Sequence, residues 1–182
     1  MKNEVLILID IQNIYFVEGV WKLHKPEKAA KKAAIILKQF RDENKPVIHV
    51  KHMFKVNGDP NGDYLLDFNN AVIPQKSEAI IIKHYPNAFL KTTLKKTLDK
   101  LQADRLVIIG MMSHMCIDTT VRAAQDYNYK VTVVDDACTT MDLVWNGKSI
   151  AAEIVHNSIM AALSGVFADV VMLTDYLSDG KK

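Results

Sequence analysis

Cysteine is scarce in this chain, which has two in 182 residues, Cys116 and Cys138. They form no C-x-x-C motif and have no metal-ligand spacing, which excludes a disulfide-rich scaffold and a cysteine-based metal module. A Cys116–Cys138 disulfide stays open at this point, and we expect free thiols in a reducing compartment. A chain of this length buries a core of its own, so we expect residues 1–182 to form one domain.

Excess charge, long apolar runs and glycine-rich loops are also missing. The 23 basic and 21 acidic residues leave a net charge of +2, which gives no reason to expect a nucleic acid partner. No apolar run approaches membrane-spanning length, and the first ten residues resemble a strand more than a leader, so we expect a cytoplasmic protein that binds no membrane. None of the seven glycines forms a G-x-G pair, which argues against a nucleotide-binding domain and predicts no cofactor.

Short apolar segments alternate with helical ones along the chain. Most of the strand candidates are uninterrupted apolar runs, as expected for parallel strands covered on both faces. The six predicted strands are 5–10, 46–51, 79–83, 105–109, 130–134 and 169–173, and the three predicted helices are 26–44, 92–101 and 148–163. This alternation predicts an α/β fold, a three-layer α/β/α sandwich with a central, mostly parallel six-stranded sheet.

The segment 54–77 does not fit this alternation. It contains two glycines and two prolines, has no clear periodicity and is long for a plain connection. We expect it to pass over the active edge of the sheet or to contact another subunit.

Three predicted strands end in, or lead to, a residue that can do chemistry. The first strand ends with Asp10, the third with Lys83, and the fourth leads through a tight turn to Cys116. Since ligands bind beyond the carboxyl ends of parallel strands, an acid, an amine and a thiol can meet at one edge. Cys116 is also predicted in the first turn of a helix, where free N–H groups and the helix dipole favour the thiolate. Taken singly, each residue also has an ordinary structural interpretation.

Four ordered sets of residues match a known family. They read DIQN at 10–13 with YF at 15–16, KHYPNAF at 83–89 with TL at 93–94, GMMSHMCIDTTVRAA at 110–124, and VVDDAC at 133–138. Over nearly its whole length the chain resembles the isochorismatase-like cysteine hydrolases, which include nicotinamidases and N-carbamoylsarcosine amidase. The resemblance implies the isochorismatase-like hydrolase fold and an enzyme that cleaves a C–N bond in a small amide, ureide or carbamoyl compound.

The resemblance also implies a catalytic triad of Asp10, Lys83 and Cys116. Cys116 would attack a carbonyl carbon and form a covalent acyl-enzyme that water then hydrolyses. Asp10 would take the thiol proton as general base and pass it to the leaving nitrogen as general acid. Lys83 would favour the anionic forms of both residues.

A cis peptide bond between Met111 and Met112, in the turn before the nucleophile, is a further implication of the resemblance. The backbone N–H groups of Met112 and Cys116 would then form an oxyanion hole. His114 lies two residues before Cys116 and suggests a Cys–His dyad. Because Asp10 already fills the role of base, we expect a structural role for His114.

The histidines of the second strand raise the question of a metal. Nicotinamidases carry a metal site with an Asp-x-His pattern after this strand, and here no aspartate lies two residues before His49 or His52. The two histidines are three residues apart, so in a regular strand they face opposite sides of the sheet and cannot share one ion. We therefore predict no metal and expect packed or surface histidines.

Aromatic residues near the strand ends are candidates for the substrate pocket. The stronger candidates are Phe16, Tyr85 and Phe89, and the weaker ones are Tyr15, Phe54 and Trp145. Core or subunit packing is an equally good interpretation for all six, because aromatic side chains dominate both kinds of site.

Two alternatives to this function remain. One is nicotinamidase activity, which the missing metal pattern disfavours, and the other is a non-catalytic binding or interaction protein that retains the fold. As partners we expect a small-molecule substrate and, from the resemblance, further copies of the chain in a homo-oligomer, either a dimer or a tetramer.

Overall fold

A computed structural model describes residues 3–17, 20–55 and 62–179 of the chain. Eight strands occur in this part of the chain: β1 (Glu4–Ile9), β2 (Val47–His52), β3 (Ala79–Lys83), β4 (Arg105–Met111), β5 (Lys130–Thr139), β6 (Leu143–Trp145), β7 (Lys148–Ile150) and β8 (Asp169–Val171). Six of them form one parallel sheet in the order β3-β2-β1-β4-β5-β8, and β6 pairs with β7 in an antiparallel hairpin.

The helices are α1 (Pro26–Asp42), α2 (Leu94–Lys100), α3 (Asp118–Asp126), α4 (Ala152–Leu163) and α5 (Leu173–Asp179). Within the described ranges, none of them is both long and apolar enough to cross a membrane.

The sheet has a separate hydrophobic core on each face. Along β1, Val5, Ile7 and Ile9 pack into one core with residues of α2, α3 and α4, while Leu6 and Leu8 pack into the other with residues of α1 and α5. Successive side chains of a strand point to opposite faces, so an uninterrupted apolar strand supplies both cores. The predicted three-layer α/β/α sandwich around a six-stranded parallel sheet is confirmed.

The predicted helix 148–163 is wrong in its first turn. The helix begins at Ala152, and the residues before it form the β6–β7 hairpin. Asn146 and Gly147 make the hairpin turn with φ angles of 49° and 72°. An Asn-Gly pair with positive φ at both residues is a preferred two-residue connection between antiparallel strands, and here it overrides the alanine-rich helical pattern.

Other strand ends also differ from the prediction, most of all those of the last strand and of β5. The last strand is shorter than 169–173, because the N–H of Leu173 donates to Asp136 Oδ1 at 3.0 Å and Leu173 begins α5. In contrast, β5 has 10 residues instead of the predicted 130–134. Its pairing with β4 shifts register between Ile108 and Gly110 of β4. The longer β5 extends toward the carboxyl edge of the sheet, where the candidate site lies.

Part of the segment 54–77 contacts the residues that follow Asp10. Residues 56–61 lie outside the described part of the chain, so the interpretation of this stretch stays a prediction. In the described remainder, Gln12 Nε2 donates to the Leu66 carbonyl at 2.6 Å. The segment therefore runs beside the carboxyl end of β1.

Glu78 connects helix α1 to the sheet. Its carboxylate accepts two hydrogen bonds from the Arg41 guanidinium, at 2.7 and 2.8 Å, and lies 2.9 Å from His49 Nε2. It also accepts the backbone N–H of Gln75 at 2.8 Å. Burial alone would raise the pKa of Glu78, but the hydrogen bonds from Arg41, Gln75 and His49 outweigh it and lower the pKa from 4.5 to about 2.

Replacing Glu78 with glutamine should lower the free energy of unfolding at neutral pH by ~2 kcal/mol, because Arg41 and His49 lose their charged partner. The pKa of Glu78 is lower in the folded state, so its stabilisation is fully present above about 4.5 and is lost as the pH falls toward 2. Urea denaturation over this pH range should therefore show the difference from the wild type shrinking in acid.

Glu43→Gln is the matched control for this prediction, since Glu43 pairs with Lys45 at the surface and its side chain is 40% exposed. It should change the stability by less than ~0.5 kcal/mol. A difference between Glu78→Gln and the wild type that stays constant with pH would contradict the assignment.

Candidate active site

Three strand ends bring Asp10, Lys83 and Cys116 into direct contact. Lys83 Nζ lies 2.6 Å from Asp10 Oδ2 and donates to Cys116 Sγ at 3.1 Å and to the Tyr85 carbonyl at 3.2 Å. Asp10 and Lys83 are fully buried, and Cys116 is 2% exposed. A thiol, a carboxylate and an ammonium thus share one nearly closed space, at the edge where the strand ends were expected to meet.

The turn that carries Cys116 is wider than the predicted first turn of a helix. Ser113–Ile117 forms a π-helical turn in which the N–H of Ile117 bonds to the carbonyl of Met112, five residues back, at 3.2 Å, and α3 begins only after it. Single π-helical turns of this kind are frequent at functional sites. The peptide bond between Met111 and Met112 is cis.

The charges of the site differ from the sequence prediction for Cys116. Burial and the carboxylate of Asp10 raise the pKa of the Cys116 thiol to about 12, and the nearby Lys83 offsets only part of this. The expectation that a helix start favours the thiolate is therefore wrong for the resting protein, because burial and the Asp10 carboxylate outweigh the nearby ammonium. The resting site holds a thiol beside a carboxylate–ammonium pair.

The pKa of Asp10 moves in the same direction for the same reason. Burial raises it from 3.8 to about 6, although Lys83 and a hydrogen bond with the Cys116 side chain both lower it. Asp10 is thus ionised at neutral pH and accepts a proton more readily than an exposed aspartate does. This is the property that a proton acceptor for the thiol needs.

His52 is a member of this cluster that the sequence analysis did not place there. Its Nδ1 lies 3.8 Å from Asp10 Oδ2 and 3.9 Å from Cys116 Sγ. Burial and the charge of Lys83 lower its pKa to about 4, so the ring is neutral. His52 ends β2, and its place beside Cys116 depends on β2 lying between β1 and β3, an order that sequence patterns do not supply.

His49 and His52 lie on opposite faces of the sheet, as predicted from their spacing. His49 is fully buried beside Glu78 and the ring of Phe68, away from the thiol.

Asp10, His52 and Cys116 offer three metal-ligand atoms that lie within 4.8 Å of one another. They fit a resident cation poorly, because the Lys83 ammonium already contacts both the carboxylate and the sulfur. The expected absence of a metal stays a prediction, and metal analysis of the purified protein tests it.

A chain of hydrogen bonds supports the turn that carries Cys116. The fully buried Ser113 bonds through Oγ to His156 Nδ1 at 2.7 Å, and His156 Nε2 bonds to Asp135 Oδ1 at 2.9 Å. His114 bonds through Nδ1 to the Thr140 hydroxyl, which fits the structural role expected for it. His156 was not predicted, because its partners are distant in sequence and no local pattern connects them.

The aromatic candidates separate into different environments. Phe89 is 7% exposed and packs in the core against Tyr129, while Phe16 packs at the border of the other core. Tyr85 is 42% exposed and gives its carbonyl to Lys83. Of the weaker candidates, Tyr15 is buried and Trp145 is 78% exposed on the β6–β7 hairpin.

Phe54, the remaining weaker candidate, belongs to a row of rings that reaches Cys116. Trp21 stacks on Phe54 with ring centroids 5.2 Å apart, and Phe54 meets His52 edge-on at 5.1 Å. The row runs from Trp21, which is 45% exposed, to His52 beside Cys116. Trp21 was not predicted, since it lies twelve residues after the end of β1 and belongs to no strand or helix.

A parallel α/β sandwich that holds a buried thiol, carboxylate and ammonium in contact at its carboxyl edge has the groups that a hydrolase can use. The family model described as the isochorismatase domain matches residues 4–171 of the chain. The protein therefore belongs to the isochorismatase family of hydrolases.

Named relatives and solved structures agree with this assignment. The chain is 45% identical to the uncharacterized isochorismatase family protein YddQ of Bacillus subtilis (strain 168) over 169 residues, which are 91% of this chain and 93% of that protein. A putative isochorismatase hydrolase from Oleispira antarctica superposes with a TM-score of 0.90 and 38% identity, covering 97% of each chain. An isochorismatase from Pseudomonas putida KT2440 has the same TM-score at 36% identity, covering 96% of this chain and 91% of its own.

More distant relatives carry names of C–N hydrolases. Maleamate amidohydrolase of Pseudomonas putida is 26% identical over 151 residues, covering 73% of this chain and 70% of that enzyme. Nicotinamidase 3 of Arabidopsis thaliana is 29% identical over 112 residues, covering 53% of this chain and 57% of that enzyme.

Proposed function

We propose that the protein is a cysteine hydrolase that cleaves a C–N bond of a small amide, ureide or carbamoyl compound through a covalent acyl-enzyme on Cys116. The observation that carries this proposal is the buried contact of Cys116 with Asp10 and Lys83. The amidohydrolase and nicotinamidase names among its relatives support the same bond type.

The proposed reaction begins with the thiol at rest. Cys116 Sγ attacks the substrate carbonyl carbon while its proton passes to Asp10, and the backbone N–H groups of Met112 and Cys116 bind the developing oxyanion. Asp10 then gives this proton to the leaving nitrogen as the C–N bond breaks. Water, deprotonated by Asp10, hydrolyses the resulting thioester and restores the thiol. Throughout, Lys83 holds the carboxylate and the sulfur in contact.

The test of this function is ammonia release over a panel of small primary amides, ureides and carbamoyl compounds. Cys116→Ala should abolish turnover, whereas Cys138→Ala, which removes the other free buried cysteine, should not. Mass spectrometry of a quenched reaction should find the acyl group on Cys116. A panel without turnover, or equal rates for Cys116→Ala and the wild type, would contradict the proposal and favour a non-catalytic binding protein.

Nicotinamide belongs in this panel as the second candidate substrate. The row of rings from Trp21 through Phe54 to His52 offers flat apolar surfaces beside the nucleophile, as an aromatic amide requires. The metal analysis described above accompanies this assay, because the resemblance connects nicotinamidase activity with a metal.

The activity should have an acidic limb near pH 6. Asp10 accepts the thiol proton only when it is ionised, and burial raises its pKa from 3.8 to about 6 despite the opposing charge of Lys83. We therefore expect kcat/KM to rise with pH through this value. His52 titrates lower, with a pKa of about 4, and does not set this limb. The profile is measured on the best substrate of the panel, and a limb at the ordinary aspartate value would show that Asp10 is not the base.

The homo-oligomer also remains a proposal. Val144 and Trp145 are 72% and 78% exposed on the β6–β7 hairpin, which is unusual for large apolar side chains and fits a contact between subunits. Sedimentation velocity of the purified protein tests it, and a monomer at micromolar concentration would contradict it.

A further inference from the structure

We propose that His52 is a specificity-determining residue that accepts a hydrogen bond from the leaving nitrogen of the substrate, so that the site selects an unsubstituted –NH2 leaving group. This inference rests on the proposed function and deepens it by naming the kind of C–N bond. It follows from the place of the ring, from the hydrogen bonds already made around the sulfur, and from the contacts that hold the ring.

The ring of His52 lies where a bound acyl group must pass. Its Nδ1 is 3.9 Å from Cys116 Sγ and 3.8 Å from Asp10 Oδ2. The distance to Asp10 Oδ2 exceeds the range of an ordinary hydrogen bond, and the distance to Cys116 Sγ allows only a long, weak bond from the thiol. Nδ1 is therefore free to accept another donor once the thiol has given up its proton. A carbonyl carbon bonded to Sγ, together with its leaving nitrogen, lies within contact of an atom at this distance.

The donors and acceptors around the sulfur are unequally used. Lys83 donates hydrogen bonds to Cys116 Sγ and to the Tyr85 carbonyl, and its Nζ lies 2.6 Å from Asp10 Oδ2 as an ion pair. Both carboxylate oxygens of Asp10 are buried and accept no well-aligned hydrogen bond from the described residues, and Oδ1 also lacks the ion-pair contact. This leaves an acceptor beside the nucleophile that a substrate N–H can satisfy.

The tautomer of His52 supplies the second acceptor. Nδ1 of His52 faces the Cys116 thiol at 3.9 Å, and since a protonated thiol is the donor in such a contact, Nδ1 is the acceptor nitrogen of the neutral ring. A neutral imidazole has one N–H. With that N–H on Nε2, Nδ1 presents a lone pair to the reacting atoms. Two acceptors, Asp10 Oδ1 and His52 Nδ1, thus match the two N–H groups of a leaving –NH2.

The ring cannot easily turn away from this position. Gln12 Oε1 accepts the backbone N–H of His52 at 2.8 Å, and Gln12 Nε2 donates to the His52 carbonyl at 3.0 Å. Phe54 packs edge-on against the ring. A buried acceptor held in place discriminates strongly against a substrate that lacks the matching donor, because that acceptor then stays unpaired.

The experiment compares two leaving groups on one acyl group. The substrates are the primary amide with the highest kcat/KM in the panel and the p-nitrophenyl ester of the same acid, which has no N–H. In His52→Phe, kcat/KM for the amide should fall by ~100-fold and that for the ester by less than ~5-fold. His52→Asn, whose side-chain oxygen replaces the Nδ1 acceptor, should recover the amide rate to within ~10-fold of the wild type. The wild type should also prefer the primary amide to its N-methyl derivative, and this preference should shrink in His52→Phe.

His24→Phe is the matched control, because the His24 side chain is 38% exposed and contacts Glu153 rather than Cys116, and should leave both rates unchanged. Thermal unfolding of each variant shows whether it folds. The inference is wrong, while the proposed function stands, if His52→Phe lowers kcat/KM for the amide and the ester equally or lowers neither. It is also wrong if His52→Asn folds but does not recover kcat/KM for the amide. If the panel yields no substrate, or the wild type cleaves the ester no faster than Cys116→Ala does, the proposed function itself fails.

Discussion

Asp10→Asn should lower kcat/KM for amide hydrolysis by ~10⁴-fold and at the same time make Cys116 easier to alkylate. The loss of turnover follows from the proposed roles, because an amide side chain neither accepts the thiol proton nor protonates the leaving nitrogen. An amine that is not protonated is a poor leaving group, so the acyl-enzyme does not form.

The gain in alkylation follows from the charges of the site. The carboxylate of Asp10 raises the pKa of Cys116, while Lys83, 3.1 Å from the sulfur, lowers it. Removal of the carboxylate leaves the ammonium as the nearest charge, which shifts the thiol toward the thiolate that iodoacetamide attacks. In the wild type, Cys116 and Cys138 both have a pKa raised to about 12, so neither should react quickly at neutral pH.

Both effects are measured on one preparation, by amide turnover and by mass spectrometry of each cysteine after timed exposure to iodoacetamide. Asp67→Asn, which breaks only the surface pair with Lys51, is the control and should change neither. Turnover within tenfold of the wild type would remove Asp10 from the proton path. Slower alkylation in Asp10→Asn would show that the carboxylate does not hold the thiol in its neutral form.

Much of the site could be predicted from residues that mark the ends of strands. Asp10, Lys83 and the Gly110–Cys116 turn each stand at a point where an apolar run stops, and parallel strands bring such points to one edge. Family resemblance then assigned roles to them. The positions of these residues along the chain are enough to predict that they meet, because each residue lies at or shortly after the end of its own strand.

What the sequence could not supply depends on contacts between distant segments. Strand order places the end of β2 between Asp10 and Lys83, and only this makes His52 a neighbour of the thiol. The prediction that Cys116 is a thiolate was wrong for a related reason. The start of a helix is a local property of the sequence, whereas burial beside a carboxylate depends on the assembled fold. His156 bonds to Ser113 across 43 residues, and no periodicity shows such a pair.

Gly110 is the position where a small change should damage both the fold and the site. Its φ of +130° is one that side-chain-bearing residues rarely adopt, and a Cβ there would lie 2.0 Å from the backbone oxygen of Ile9. Gly110 pairs with Ile9 across the central strands, so the backbone of β1 must shift to admit a methyl group. Gly110→Ala should lower the free energy of unfolding by ~4 kcal/mol, measured by urea denaturation.

Gly147→Ala separates backbone strain from this collision. Gly147 also has a positive φ, of +72°, but a Cβ there meets no atom within 4 Å, so the variant should lose only ~1 kcal/mol. Any fraction of Gly110→Ala that folds should still lose turnover. Ile9 directly precedes Asp10, so a shift of Ile9 also moves the Asp10 carboxylate out of contact with Lys83. Equal stability of the two alanine variants would mean that β1 yields freely at this point. In that case the close approach of Ile9 and Gly110 does not hold Asp10 in register with Cys116.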